Sequence, residues 1–301
     1  MKILVTGGTG LIGKKLISKL NQNPNNKISI LSRSKIKNYK FKEFYWNPKF
    51  NEIDEKSLIG IDCIIHLAGE NIFNLWTKKR KKIIYESRIN SLDLIYNRLK
   101  KLKIKPKILI SSSAIGWYGT NSDDIERSEN MPNSNDFLGN LCYDWESSAD
   151  KFKNFNAKVY KVRTGIVLSS DSFMFRFLKL LSYFYLLSPV AKGNQYFPWI
   201  HICDLVNIYN YILCNDIDPG PYNAVSPNIS TNKKFITEFT NSVNRKIIMP
   251  NIPQFLINLL FGDMSKMLTT GLKISSKKII NKGFNFEFKN LKIAINDLNN
   301  N

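Results

Sequence analysis

The stretch Gly7-Gly8-Thr9-Gly10-Leu11-Ile12-Gly13 decides how this sequence folds. It follows an apolar run, residues 2–6, that predicts a strand, and it opens residues 11–21, whose apolar spacing predicts a helix. In such a unit Gly7 permits the tight turn, Gly10 lets the backbone approach a pyrophosphate, and Gly13 lets helix and strand pack closely. Free amides at the helix start attract phosphate. The alternative is a turn without a ligand, but this context favours a dinucleotide site that includes Thr9, Leu11 and Ile12.

The rest of the chain supports an α/β fold. Apolar runs alternate with helix-like segments up to about Thr164, which predicts a Rossmann-type, doubly wound parallel sheet. We predict a dinucleotide-binding domain over residues 1–165 and a smaller C-terminal substrate lobe over residues 166–301, with some elements returning to the first domain. The predicted strands are residues 2–6, 27–32, 44–46, 63–68, 107–112, 157–162, 197–200 and 222–224, and the predicted helices are residues 11–21, 77–103, 137–152, 203–214, 231–241 and 252–261.

The end of the second predicted strand indicates which dinucleotide binds. An acidic residue there binds a ribose 2′-hydroxyl, whereas an arginine favours a 2′-phosphate. This strand ends in Ser32 and Arg33, with Lys35 close by, and no carboxylate competes. The arginine fork and the serine hydroxyl suit a phosphate. An exposed arginine in a basic protein is the alternative, and we predict NADP(H).

Composition excludes several other classes. No uncharged apolar stretch reaches the roughly 20 residues of a membrane span, and residues 173–190 are interrupted by Arg176 and Lys179. We see no secretory signal. The four cysteines form no CxxC pair and are interpreted as reduced thiols of a cytoplasmic protein without a metal site.

The net charge of +20 raises the possibility of a nucleic-acid partner. Lysine, asparagine and isoleucine are abundant throughout the chain, however, and the densest basic run, residues 78–82, lies in a predicted helix. We interpret that run as a solvated helix face and predict no nucleic-acid partner.

A series of further motifs occurs along the chain in order: HLAGENI (66–72), WT (76–77), SRI (87–89), SSAIGWYG (112–119), DWE (144–146), RTGIVL (163–168), FPWIHI (197–202) and NAVSP (223–227). Together with the GxxGxxG spacing of the glycine loop, they resemble the epimerase-like family of extended short-chain dehydrogenases/reductases, often labelled epimerase family proteins. The resemblance extends over essentially the whole chain.

This resemblance implies an NADP(H)-dependent oxidoreductase or epimerase-like activity on a small carbonyl or hydroxyl substrate. It implies that residues of several motifs line the cofactor or the cleft. Leu67, Ala68 and Gly69 are expected beside the adenine ribose and pyrophosphate, Glu70 and Asn71 at the edge of the substrate cleft, Arg88 near the cofactor, and Val167 at the nicotinamide end. Ordinary strand packing for Leu67 and Ala68, and a solvated charge for Arg88, are the alternatives.

The usual catalytic set of short-chain dehydrogenases is incomplete here. That set is a serine, a proton-transferring tyrosine and a lysine. Ser113 stands where the serine is expected, and the adjacent Ser112 is an alternative that we also include among the cofactor-binding residues. The predicted helix over 137–152 contains no YxxxK, and the YxxxK strings at 45–49 and 96–100 are interpreted as chance matches. Tyr118 or, less favoured, Tyr143 is a candidate substitute for the acid, although a tyrosine at position 118 of this motif is more often a structural aromatic.

Two further features bear on function. Residues 183–195, glycine-rich in the family, contain only Gly193 here, which puts a family-derived substrate in doubt. His201 and Asp204 are interpreted as structural, with Asp204 capping or bracing the second lobe. Three functions follow in order: an NADP(H)-dependent oxidoreductase, a non-catalytic NADP(H)-binding sensor or scaffold, and a nucleic-acid-binding protein.

Overall fold

A computed structural model describes residues 1–34 and 41–300, and its main feature is an eight-stranded sheet. The strands of this sheet are β1 (Lys2–Thr6), β2 (Lys27–Ser32), β3 (Lys42–Asn47), β4 (Glu52–Ile53), β5 (Cys63–His66), β6 (Ile108–Ala114), β7 (Lys158–Thr164) and β10 (Gly220–Ala224). Their order in the sheet is β10-β7-β6-β5-β1-β2-β3-β4, and every pair is parallel except β3–β4.

Helices cover both faces of the sheet. Helices α1 (Leu11–Leu20) and α5 (Ile202–Cys214) pack on one face, and α2 (Lys78–Leu102) and α3 (Phe137–Asp150) on the other. The further helices are α4 (Phe173–Tyr183), α6 (Asn232–Ser242), α7 (Gln254–Phe261), α8 (Lys266–Thr269), α9 (Lys277–Asn281) and α10 (Leu291–Asn300). Ile3 and Val5 of β1 pack with α1 and α5, whereas Leu4 between them packs with α2 and α3. Alternate residues of one strand thus enter two different cores. The predicted doubly wound α/β fold is confirmed.

The second half of the chain contributes to the main sheet and also forms a separate core. β10 pairs with β7, with Tyr222 opposite Val162, and α5 packs against α1. The separate core joins α4, α6 and α10 with a two-stranded parallel sheet of β8 (Ile166–Leu168) and β9 (Trp199–His201). The boundary at residue 165 stays a prediction.

The structure differs from the predicted elements mainly at strand ends and in the second half. β5 stops at His66, two residues before its predicted end, because its partner strand β1 ends at Thr6, where Gly7 turns the chain with a φ of +66°. Helices α4 and α10 and strand β8 were not predicted. Across residues 1–34 and 41–300, no helix combines the length and the apolar character needed to cross a membrane.

Candidate functional site

The glycine turn between β1 and α1 is closely packed against backbone. Gly7 has a φ of +66°, and a Cβ there would lie 2.8 Å from the carbonyl carbon of Leu67. A Cβ on Gly13 would lie 2.3 Å from the Gly7 oxygen. At Gly10 the corresponding distance to that oxygen is 3.3 Å, so Gly10 is the least confined of the three. The backbone itself therefore requires glycine at positions 7 and 13.

The start of α1 presents backbone amides to a ligand. The first bond into the helix runs from the Lys14 amide to the Gly10 oxygen at 3.0 Å, which leaves the amides of Leu11, Ile12 and Gly13 without helical acceptors. No side chain among the described residues caps this helix, and its first turn contains no acidic residue. Thr9 and Gly10 are exposed beside it. Amide groups and the positive end of the helix dipole fit a phosphate.

Thr6 fastens the glycine turn to the neighbouring strand end. Its Oγ1 accepts hydrogen bonds from the Leu67 amide at 3.2 Å and from the Ala68 amide at 3.1 Å. The backbone of Leu67 and Ala68 is thereby brought against Gly7. Thr6 was missed, although a hydroxyl ending an apolar strand was a visible signal.

Arg88 of α2 supports the same segment from behind. Its Nη2 donates to the backbone oxygen of Glu70 at 3.1 Å, and its guanidinium lies 5.1 Å from the ring centre of Trp145. Its carbon Cζ would lie 3.2 Å from a Cβ on Gly69. Burial lowers the pKa of Arg88. Arg88 is thus a brace for residues 69–70 and not a solvated helix charge.

Glu70 and Asn71 lie on the loop after β5 and are both held by Arg80. The Glu70 Oε1 accepts from Arg80 Nη2 at 3.2 Å, and the same Nη2 donates to the backbone oxygen of Asn71. The Glu70 amide donates to Ser87 Oγ at 3.0 Å. A carboxylate in a partly buried ion pair is positioned to recognise a polar ligand group without being freely mobile.

Ser32 and Arg33 lie at the same edge of the sheet as the glycine turn, since Leu31 is opposite Thr6. Ser32 is buried, and its Oγ donates to the backbone oxygen of Ser34 at 2.7 Å. Arg33 is exposed and has no hydrogen bond or ion pair with another described residue. Lys35 lies outside the described residues. The guanidinium of Arg33 can therefore pair with an anionic ligand.

The two candidate serines point to opposite faces of β6. Ser113 is buried, and its Oγ donates to Glu146 Oε1 on α3 at 2.7 Å. The Ser112 Oγ is half-buried and hydrogen-bonded to the Tyr209 hydroxyl on α5 at 2.7 Å. Both hydroxyls are therefore engaged by protein partners.

Tyr118 is buried, and its hydroxyl is hydrogen-bonded to residues other than Ser113. Its hydroxyl donates to Asn223 Oδ1 at 2.8 Å and accepts from Arg163 Nη1 at 3.1 Å. Burial raises the pKa of Tyr118 to about 12, although Arg163 and Asn223 oppose this. A high pKa and two protein partners are typical of a structural tyrosine, the alternative considered from the sequence.

Helix α3 offers no substitute for YxxxK. Leu138 and Gly139 are buried near the expected tyrosine position, and Cys142 Sγ contacts the Ala114 oxygen at 3.6 Å. Tyr143 is 51 % exposed, with its ring 6.2 Å from that of Trp117.

In the YxxxK string at 96–100, the Tyr96 ring packs on Phe152 and Phe155 of the core. That contact supports its interpretation as a chance match.

A buried ion pair missed by the sequence analysis lies behind Ser113. Arg163 donates to Glu146 through Nε at 2.7 Å and through Nη2 at 3.0 Å, and its guanidinium lies 3.8 Å from the ring centre of Trp117. In the sequence, the only sign of this ion pair was that Glu146 lies in the DWE motif and Arg163 in the RTGIVL motif. This pair connects α3, β7 and the turn after β6.

Val167, His201 and Asp204 connect the second core to the first. Val167 is half-buried in β8 opposite Ile200, and it packs against both the α1/α5 core and the α4/α6 core. His201 Nδ1 accepts from the Cys203 amide at 3.2 Å, which caps α5. Asp204 accepts from the amides of Glu287 and Phe288 at 2.8 and 3.0 Å. These contacts are the structural ones expected for His201 and Asp204.

No metal centre is evident in the described part of the chain. Residues 1–34 and 41–300 contain no group of three or more His, Cys, Asp or Glu side chains that could hold a metal ion. The four cysteines are free thiols.

Sequence comparison with known proteins identifies the family. The model of the NAD dependent epimerase/dehydratase family matches residues 3–137, and a domain of unknown function, DUF1731, matches residues 252–298. Epimerase family protein SH2119 of Staphylococcus haemolyticus is 31 % identical over 99 % of this chain and 98 % of its own length. The chain belongs to the epimerase family. The Bacillus subtilis member YfhF is similar to the same degree, 31 % over 99 % of this chain and 98 % of its own length.

Solved structures agree with this membership. Human epimerase family protein SDR39U1 (isoform 2), solved with NADPH, has 28 % sequence identity and a TM-score of 0.88, with both chains covered completely. A nucleoside-diphosphate sugar epimerase of Corynebacterium glutamicum has 25 % identity and a TM-score of 0.78, covering 99 % of this family member and 58 % of that chain. The family resemblance predicted from the motifs is confirmed.

Proposed function

We propose that this protein binds NADP(H) at the glycine turn and acts as an epimerase-like oxidoreductase on a small carbonyl or hydroxyl compound. The observation that carries the proposal is the uncapped start of α1, whose amides at Leu11, Ile12 and Gly13 face the turn. Amides arranged in this way match the charge and hydrogen-bonding needs of a pyrophosphate. The cofactor, when bound, supplies or accepts a hydride.

The remaining cofactor contacts follow the edge of the sheet. Thr9 and Gly10 are exposed on the turn and are proposed to contact the phosphates. Leu67, Ala68 and Gly69, which Thr6 and Arg88 hold in place, are proposed to flank the adenosine half. Ser112 and Val167 are proposed at the nicotinamide end. Glu70 and Asn71 are proposed at the rim of the substrate cleft.

Arg33 supports NADP(H) over NAD(H). Its guanidinium is exposed and unpaired among the described residues, and the end of β2 carries no carboxylate that would repel a 2′-phosphate. The human relative was solved with NADPH. A charge-assisted hydrogen bond of this kind contributes about 1.5–3 kcal/mol, which is about a ten- to hundredfold difference in affinity.

A specific observation favours a second candidate, a non-catalytic NADP(H)-binding sensor or scaffold. The hydroxyls of Ser113 and Tyr118, the candidate proton-transfer groups, both bind buried protein partners. Proton transfer to a substrate would require them to leave those partners. A sensor needs only the cofactor site.

Titration with NADPH and NADH tests whether the protein binds a dinucleotide and whether Arg33 selects NADPH. The proteins compared are the wild type, Arg33→Ala and a control, Lys27→Ala, in which an exposed lysine at the opposite end of β2 is removed. We expect Arg33→Ala to weaken NADPH binding about ten- to hundredfold and to leave NADH binding and the control unchanged. Absence of binding of either dinucleotide to the wild type would refute the proposal.

NADPH oxidation over a panel of small carbonyl compounds then distinguishes enzyme from sensor. Turnover with any member of the panel, abolished by Gly10→Ala at the cofactor turn, supports the oxidoreductase. Tight NADPH binding without turnover across the panel supports the sensor.

A further inference from the structure

Helix α4 carries apolar side chains on its outward face as well as on its inward face. Inward, Phe175 is buried and its ring packs edge-on against Phe239 of α6, with 4.9 Å between ring centres. Outward, Phe173, Phe177, Leu180 and Phe184 are all exposed, Phe173 at 79 %. Their spacing of four, three and four residues places them on one side of the helix. The rings of Phe173 and Phe177 stack at 5.8 Å.

Helix α7 repeats this arrangement. Gln254–Phe261 contains no charged residue, and among its apolar side chains only Ile257 is buried. Phe255, Leu256, Leu259 and Leu260 are exposed, Leu259 at 80 %. A short helix that leaves most of its apolar side chains in water is unusual for a soluble surface, and such patches mark interaction sites.

The segments that carry the two helices lie side by side. The Ala191 amide donates to the Ile252 oxygen at 2.9 Å, and the Ile252 amide donates to the Pro189 oxygen at 2.9 Å. Ile252 directly precedes the turn into α7, and Pro189 follows the end of α4 by a few residues. The Arg245 guanidinium lies 5.2 Å from the ring centre of Tyr183, the last residue of α4. We refer to Phe173, Phe177, Leu180, Phe184, Phe255 and Leu259 as the apolar surface.

The charges around the apolar surface are positive. Residues 172–203 contain no Asp or Glu but include Arg176, Lys179 and Lys192, and residues 239–262 contain no Asp or Glu but include Arg245 and Lys246. Four acidic residues border these segments. Asp171 lies 4.0 Å from Lys15 Nζ and Asp263 lies 2.7 Å from Lys81 Nζ, Asp204 is buried and accepts from two backbone amides, and the fourth is Glu238 of α6. Exposed phenylalanine and leucine set among basic residues are typical of helices that lie in a membrane interface.

The same charges argue against a second copy of the chain as the occupant. Two copies would each bring a net charge of +20 and the same basic segments to the contact. Like charges across an interface oppose association. An anionic bilayer surface offers the complementary charge and also an apolar layer for the aromatic rings.

We propose that the apolar surface docks this protein peripherally on an anionic lipid bilayer. The side chains of the apolar surface enter the boundary between headgroups and acyl chains, while Arg176, Lys179 and Arg245 face the lipid phosphates. This proposal is independent of the cofactor and of the reaction, because it uses none of the residues assigned to the dinucleotide site.

Sedimentation with lipid vesicles tests the proposal. Vesicles of phosphatidylcholine alone are compared with vesicles in which about a third of the lipid is phosphatidylglycerol. The proteins are the wild type, Phe173→Ser/Phe177→Ser, Arg176→Glu/Lys179→Glu, and a control, Ile59→Ser, which removes a 64 % exposed apolar side chain from the loop before β5. Thermal unfolding of each variant establishes that it is folded, and the exposed phenylalanines are expected to tolerate serine.

We expect the wild type and the control to bind anionic vesicles, less tightly at high salt, and to leave neutral vesicles unbound. Each lysine or arginine near the surface contributes about fivefold, so reversing the charges of Arg176 and Lys179 is expected to reduce partitioning by at least about 25-fold. The double phenylalanine variant is expected to lose binding while it retains NADPH affinity. Equal binding to neutral vesicles, or no binding to anionic vesicles, would overturn the proposal. If the wild type is then a dimer in light scattering and the phenylalanine variant is not, the apolar surface is an interface between two copies of the chain.

Discussion

The Arg163 guanidinium and the Glu146 carboxylate form a buried ion pair with two parallel hydrogen bonds of 2.7 and 3.0 Å. The two side chains are 2 % and 4 % exposed. Burial by itself lowers the pKa of Arg163, but the hydrogen bonds and charge of Glu146, together with Tyr118, raise it overall. The two candidate catalytic residues are both hydrogen-bonded to this pair, Ser113 to Glu146 and Tyr118 to Arg163. The pair therefore organises the region where the usual Tyr/Lys relay is missing.

Removing one member of the pair is expected to be costly. Arg163→Met leaves the buried Glu146 carboxylate with the more distant Lys161 Nζ, at 4.0 Å, as its cationic neighbour. Removing one member of a buried pair typically destabilises a protein by about 3–5 kcal/mol. The free energy of unfolding in urea at neutral pH measures this. Lys151→Met is the control, since Lys151 binds Asp93 at the surface, at 2.7 Å, and is 44 % exposed; its loss should cost at most about 1 kcal/mol.

The double variant Arg163→Met/Glu146→Leu sharpens this prediction. Replacing both members of a buried pair by apolar side chains is often tolerated. We expect the double variant to be more stable than Arg163→Met alone. A double variant less stable than either single variant would contradict this account of the pair.

Two glycines of the turn should respond differently to alanine. At Gly13 the new Cβ would lie 2.3 Å from the Gly7 oxygen, so Gly13→Ala is expected to lower both the melting temperature and the NADPH affinity. At Gly10 the distance is 3.3 Å, so Gly10→Ala should leave the fold intact and weaken NADPH by obstructing its phosphates. Calorimetric titration and thermal unfolding provide the two readouts, and unchanged NADPH affinity in Gly10→Ala would count against phosphate binding at this turn.

The cofactor side of the site was predictable because its determinants are local. The glycine spacing, the strand before it and the helix after it are contiguous, and Arg33 follows directly on β2. The contacts of the candidate catalytic residues were not predictable in this way. Tyr118 is hydrogen-bonded to Asn223, 105 positions away in the sequence, and Ser113 is hydrogen-bonded to Glu146, 33 positions away. Such pairings depend on tertiary packing, and a single sequence carries no periodicity that reveals them.

The same reasoning explains the fold. Alternation of apolar runs with helix-like segments identified most strands of the sheet, since the central strands β1, β5 and β7 are buried on both faces. Helix α4 was not predicted because apolar side chains lie on its outward side as well as on its inward side, so Phe173, Phe177 and Leu180 stand where a surface helix usually has polar residues. These exposed apolar side chains are also the basis of the membrane-docking proposal.

His66 is expected to make stability fall in mild acid. Burial lowers the pKa of His66 from 6.5 to about 3, with the Arg88 charge adding to the effect. Its Nε2 binds Ser91 Oγ at 2.8 Å, and its Nδ1 has no hydrogen-bond partner among the described residues. Below about pH 6.5 the imidazole of His66 is protonated in the unfolded chain but stays neutral in the folded chain. The free energy of unfolding therefore falls by about 1.4 kcal/mol per pH unit as the pH decreases toward 3.

Replacing His66 isolates this effect. His66→Gln retains a donor for Ser91 and does not titrate, so its stability relative to the wild type should improve as the pH is lowered from 7 to 5 in urea unfolding. Carboxylates titrate in both proteins and cancel in the difference. A stability difference that is constant over this range would show that the pKa of His66 is the same in the folded and unfolded chains.

Tyr118→Phe decides between the two roles considered for this tyrosine. The change leaves Asn223 Oδ1 and Arg163 Nη1 without their hydroxyl partner in a buried region, which is expected to cost about 1–3 kcal/mol of unfolding free energy. NADPH affinity should stay at the wild-type level, because the hydroxyl is engaged away from the glycine turn. Tyr143→Phe, at an exposed tyrosine of the same region, is the control and should change neither quantity. If instead Tyr118→Phe keeps full stability and loses turnover about a hundredfold or more, Tyr118 is the substitute acid and its buried hydrogen bonds must open during the reaction.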